Sequence, residues 1–158
     1  MLLSPNIRIF LLSLQIFQVA VLLLHDWVPM FRLNDLKALR KQHSLRVIAL
    51  GTLISSVLPS IGLALGIIHW KLGWSKGLVT YLVAAYGFLF LGELEAWWIP
   101  YLFWPQPKKA IRYEALFANT SAFLPARNGI RINMLHCLLH IATFTTVLAL
   151  ASVFFAAH

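Results

Sequence analysis

The sequence predicts an all-α integral membrane protein: a four-transmembrane-helix bundle with a short interfacial helix between helices 3 and 4. Three observations carry this expectation. Among 158 residues, 60% are hydrophobic and 11% charged, a balance foreign to water-soluble domains. Four stretches stay apolar over the ~20 residues that a helix needs to cross a hydrocarbon core of ~30 Å. Ten of the 13 Lys and Arg gather in two of the connecting loops.

The first span is expected at about 7–29. It is Leu-rich and N-terminal but has no convincing small-x-small cleavage site. Gln15, Gln18, Leu22 and His25/Asp26 share one helical stripe, as in a helix that stays and packs. The second, about 47–70, carries Gly51, Ser55, Pro59, Gly62 and Gly66 near one face, a stripe suited to close helix approach, with a kink at Pro59. The third, about 78–103, holds Glu93 and Glu95 and ends in an aromatic belt of Trp97, Trp98, Tyr101 and Trp104 before Pro105 and Pro107. In the fourth, about 132–156, Asn133, His136, His140 and Thr143 follow at helical spacing. Between the last two, Tyr113, Leu116, Phe117 and Leu124 form the apolar side of a short helix in the headgroup region. The spans leave no room for a soluble module, so residues 1–158 are read as one membrane domain.

Counting Lys and Arg orients the chain. Arg32, Lys37, Arg40, Lys41 and Arg46 follow span one; Lys108, Lys109, Arg112, Arg127 and Arg131 follow span three. Arg8, Lys71 and Lys76 lie on the other side. The positive-inside rule then places loops 31–46 and 105–131 in the cytoplasm and both termini outside it. The formal charge of +8 reflects topology and not nucleic-acid binding. Asn119-Thr-Ser121 matches a glycosylation sequon, but on a cytoplasmic loop it has no role. A single cysteine, Cys137, excludes an intrachain disulfide and any Cys-x-x-Cys site.

With depth assigned, the ionisable residues meet at one level, in the cytoplasmic half: His25 and Asp26, Glu93 and Glu95, then Asn133, His136 and His140. Such groups inside spans are costly unless paired, which makes them candidate sites; the plainer reading is that they glue the helices together. Phe88, Gly92, Glu95 and Trp98 form a coherent face, so Glu95 is expected to point inward. Glu95, His136 and His140 are the expected acid/base centre, or ligands to zinc or iron, since His136 and His140 at i and i+4 can meet one ion. His25 and Asn133 support it. Arg112, Arg127 and Arg131 stand at its mouth to receive an anionic group. Haem between His25 and His136 or His140 is disfavoured, since the sequence lacks the second histidine pair that transmembrane electron transfer needs. The serines Ser55, Ser56 and Ser60 lack a nucleophile-elbow context.

The outline resembles four-helix membrane enzymes such as the sterol isomerase group, which use buried His and Glu in a lipid-facing pocket; no motif of theirs maps onto residues here. The expected function is therefore binding or modification of a lipid-like or hydrophobic small molecule among membrane lipids. The alternative is a non-catalytic small carrier, working as a homodimer, or an accessory subunit of a larger membrane complex.

Overall fold

A computed structural model describes residues 3–156. His158, expected outside the spans, lies outside the described residues. The elements are α1 (Pro5–Leu24), α2 (Leu36–Gln42), α3 (Leu45–Ile68), α4 (Lys76–Glu93), a π-helical turn (Leu94–Trp98), α5 (Ile99–Leu102), α6 (Pro107–Phe117) and α7 (Met134–Ala156). Four helices are long and apolar enough to cross a membrane: Pro5–Leu24, Leu45–Ile68, Lys76–Leu102 and Met134–Ala156.

Capping side chains place their starts. Ser4, Ser44 and Ser75 accept the backbone N–H of Ile7, Val47 and Leu78, three residues on, and Pro5 fills a first-turn position where no donor is needed. These helices therefore begin two residues before the expected 7, 47 and 78. Asn133 accepts the N–H of His136 at 2.9 Å and starts the last one at Met134 in place of 132. The first helix stops at Leu24 and not at 29 because Asn34 captures the turn that follows. Its amide donates to the carbonyls of His25 at 2.6 Å and Val28 at 2.8 Å, and its oxygen accepts the Met30 N–H at 2.8 Å.

The long helices pack in a ring, α1 on α3, α3 on α4, α4 on α7 and α7 on α1. At the end away from the basic loops the contact is tight and apolar. A Cβ at Gly62 would sit 2.7 Å from Leu82, and one at Gly66 3.1 Å from both Leu12 and Trp74. The Trp74 indole donates to the Gly66 carbonyl at 3.0 Å, and the Arg8 guanidinium donates to the Trp70 carbonyl while lying over its ring. Leu11, Trp74, Leu82 and Leu150 close this end. Gly51 meets no neighbour within 4 Å. The stripe of small residues thus splits in function: Gly62 and Gly66 admit neighbours, whereas Gly51 leaves open space.

The π turn follows from Pro100. Proline has no N–H for the carbonyl four residues back, which is Ala96, and its ring crowds that carbonyl. The helix widens just upstream, with Ile99 N–H reaching the Leu94 carbonyl five residues back. The Ala96 carbonyl instead accepts from the Tyr113 hydroxyl at 3.1 Å, which docks α6 against the third span. Burial beside Trp97 and Phe117 pushes the Tyr113 phenol up to about 12, so it remains a donor.

The connection from α6 to α7 is ordered. Arg127 and Ile130 exchange two backbone hydrogen bonds around Asn128 and Gly129, both at positive φ, and the Asn128 amide donates to the carbonyls of Pro100 and Tyr101. Asp35 caps α2 and accepts from Asn119; these donors hold its carboxyl below the usual aspartate range. At Gly129 (φ +72) a Cβ would lie 2.6 Å from Ala110 Cβ. Gly129→Val combines a left-handed β-branched residue with that overlap and is expected to cost about 2 kcal/mol or more. Limited trypsin digestion in detergent checks it: cleavage after Lys108 and Lys109 accelerates as α6 loosens, and an unchanged pattern would mean that this turn does not hold α6.

Candidate functional site

A cavity of about 370 Å³ lies in the half of the helix ring nearer the basic loops. Each long helix contributes one wall. Leu22, His25 and Asp26 come from α1 and its end; Gly51, Ile54, Ser55, Leu58 and Pro59 from α3; Phe88, Leu89, Gly92, Glu93, Ala96 and Trp97 from the third span; His136, Leu139 and His140 from α7. Gly51, Ile54, Phe88 and Gly92 are exposed and edge an opening between α3 and α4. That opening lies within the segments apolar enough to span a membrane. A smaller recess of about 70 Å³, lined by His25, Asp26, Asn34, Asp35, Asn133 and His136 among others, approaches the same histidines from the loop side.

The expectation that Glu95 points inward is corrected. Glu93 lines the cavity and is 5% exposed, whereas the Glu95 side chain is 74% exposed and meets the Lys109 ammonium at 3.3 Å. Regular helix spacing supplies the reason: Glu93 follows the buried Tyr86 by two turns and Leu82 by three, and Glu95 lies about 200° round from Glu93. In a straight α-helix, steps of four residues drift by about 40° each. Beyond Glu93 the wider turn absorbs that drift, so Trp97 and Tyr101 stay on its buried face, whereas Phe88, Gly92 and Glu95 share a face that points outward.

Glu93 accepts from the Thr143 hydroxyl at 2.8 Å through Oε1, while Oε2 is buried with no partner among the described residues. One turn toward the loops on α7 stands His140, and one turn further His136. Their partners assign them opposite tautomers. His140 Nδ1 accepts from the Trp98 indole N–H at 3.2 Å, which leaves the proton on Nε2. His136 Nδ1 donates to Asn133 Oδ1 at 2.6 Å, which leaves the lone pair on Nε2. A hydrogen-bond donor and a base therefore stand 6.0 Å apart, centroid to centroid, on one cavity wall. Asn133 is itself fixed, its amide donating to the Leu33 carbonyl at 3.0 Å, and the His136 ring is held 4.4 Å from Trp97. His25 packs edge-on against His136 at 5.6 Å, with Nδ1 on the Val21 carbonyl at 2.8 Å and Nε2 3.2 Å from Asp26.

Polar groups continue along the same faces away from the loops. The Gln18 amide donates to Thr146 at 2.8 Å; both polar atoms of buried Gln15 and the hydroxyl of buried Tyr86 lack partners among the described residues. The polar stripe read on α1 thus extends inward from His25.

Two further expectations are corrected. Arg112, Arg127 and Arg131 do not line the cavity. Arg131 braces the loop by donating to the Ala118 and Thr120 carbonyls, Arg127 is engaged through its backbone in the turn, and Arg112 lies beside the Tyr113 ring. The zinc or iron set of His136, His140 and Glu95 does not assemble, because Glu95 faces away onto Lys109; among the described residues no group of three His, Cys, Asp or Glu is arranged to hold a metal. The edge-on contact of His25 with His136 also leaves no space for a macrocycle between them.

The residues that sequence reasoning passed over are Glu93, set aside in favour of Glu95, and Trp97 and Trp98, read only as an interfacial belt. For Trp97 and Trp98 the available signal was Pro100, four residues after Ala96, which forecasts a helix irregularity there; for Glu93 it was the two-turn spacing from Tyr86. No protein-family model, curated protein or solved structure matches the chain.

Proposed function

We propose that this is an integral membrane protein that takes an amphiphilic, lipid-like molecule from the bilayer through the opening between α3 and α4. The ligand's polar end meets Glu93, His136 and His140 for proton transfer. The observation that carries the reading is the cavity's two-sided chemistry. Ile54, Leu58, Phe88 and Leu89 make the lining beside the opening apolar, and Glu93, His136 and His140 line the same cavity. A pocket of this kind suits a molecule that is part hydrocarbon and part polar. His136 Nε2 is the nitrogen free to accept a proton and His140 Nε2–H the one to donate, the pairing that moves a proton from one position of a bound molecule to another. His25 and Asn133 are positioning residues, and the loop-side recess gives water a route to His25 and His136.

We further place the protein as a four-helix bundle with the basic loops 31–46 and 105–131 in the cytoplasm. α6 then lies in the headgroup layer with Lys108 and Arg112 toward anionic lipid.

Native mass spectrometry of protein released from native lipid, comparing wild type with Gly51→Trp and Gly92→Trp, tests the cavity. A Cβ at either glycine meets nothing within 4 Å among the described residues, so the start of each new side chain is uncrowded, and both positions line the cavity that an indole would fill. Gly87→Trp, whose position is equally uncrowded but does not line the cavity, is the control. The expected outcome is a bound amphiphile in wild type and Gly87→Trp that is lost in both cavity variants. Equal retention in all four proteins would overturn the proposal.

A further inference from the structure

Resting on the cavity reading above, we propose that the ligand's head group is an amine and not an anion: the site takes an uncharged or protonated long-chain amine and rejects fatty carboxylates and phospholipid phosphates. The charge inventory carries this. Among the described residues that line the cavity there is no Lys or Arg. The ionisable groups are two carboxyls and three imidazoles, and they are not equally engaged. His25 and Asp26 answer each other at 3.2 Å, and His136 and His140 each have one ring nitrogen committed to Asn133 and Trp98. Glu93 remains, lining the cavity, with Oε2 buried and without a partner among the described residues. A buried carboxyl with an unpartnered oxygen gains most from an amine, since between them the two groups hold a proton and form a charge-assisted hydrogen bond whichever one carried it in, whereas a fatty carboxylate only adds a second acid in a wall of low dielectric. The cations that would accept a phosphate are spent elsewhere, Lys109 on Glu95 and Arg131 on loop carbonyls.

The test uses the full chain in phosphatidylcholine nanodiscs, with thermal stabilisation measured as dodecylamine, dodecanol or dodecanoate is added at equal membrane mole fraction. The amine is expected to bind about tenfold more tightly than the alcohol, from one charge-assisted hydrogen bond, and the carboxylate more weakly than either. Glu93→Gln is expected to erase the preference of amine over alcohol. The comparison on unaltered protein stands even if that variant fails to fold. Carboxylate binding as tight as amine binding, with both lost in Gly92→Trp, would overturn the amine inference and leave the cavity reading intact. Binding of none of the three, or stabilisation by all three that persists in Gly92→Trp, would overturn the cavity reading and this inference with it.

Discussion

Asn133→Leu is expected to lower the unfolding free energy by about 3 kcal/mol or more, the largest loss expected of a single polar side chain in this protein. Asn133 is 1% exposed and answers three groups at once: the Leu33 carbonyl, the His136 N–H and His136 Nδ1. Leucine fills the volume but leaves all three without a partner, and a buried unsatisfied group costs about 1–3 kcal/mol. These contacts also tie the loop after α1 to the start of α7 across the mouth of the recess. The damage should therefore appear as faster hydrogen exchange at both Leu33 and His136, beside a lower melting temperature in detergent. Asn133→Asp keeps the two acceptor roles and loses the donor to Leu33, so its loss should fall between wild type and Asn133→Leu. A melting temperature unmoved by leucine would mean that the cap and the loop tie carry no stability.

The spans were legible because their signal is length and hydropathy, which packing does not alter, and the capping serines then moved their starts by two residues. The side of a span that faces inward was less legible, for a physical reason. In a soluble helix the polar face marks solvent; in a membrane span Phe88 faces outward and Leu82 inward, and both are apolar. The only marker left was the polar side chains themselves. It served on α7, where the helix is regular and Asn133, His136, His140 and Thr143 keep their spacing. It failed at Glu93 and Glu95 because each belongs to a coherent face of one regular helix, Glu93 with Leu82 and Tyr86 and Glu95 with Phe88 and Gly92, and hydropathy does not tell which of the two is buried. The arginines misled for another reason. Their place in the loops is visible in the sequence, but their direction depends on nearby carbonyls, and the ordered 118–133 loop offers Arg131 two of them.

The same reasoning separates a working carboxyl from helix glue. If Glu93 held the helices together, its removal would destabilise the protein. Its environment argues the opposite: among the described residues one oxygen has a single hydroxyl partner, Thr143, which also lies 3.0 Å from the Leu139 carbonyl, and the other oxygen has none. Leucine at this position removes a desolvated, half-satisfied carboxyl, and Thr143 keeps its backbone acceptor.

Glu93→Leu is therefore expected to raise stability in detergent by about 1–3 kcal/mol while abolishing retention of the bound amphiphile. Glu95→Leu removes only an exposed pair with Lys109, so its stability should change by less than about 1 kcal/mol and its ligand should be retained. Chemical denaturation and native mass spectrometry on the same three preparations read both quantities. A gain in stability with a loss of ligand is the trade that a functional site makes, since a buried group left unsatisfied costs stability that binding a ligand offsets. A Glu93→Leu protein that is less stable than wild type would assign Glu93 to packing and remove it from the proposed site. One that is more stable but still carries its amphiphile would move the polar contact to His136 and His140.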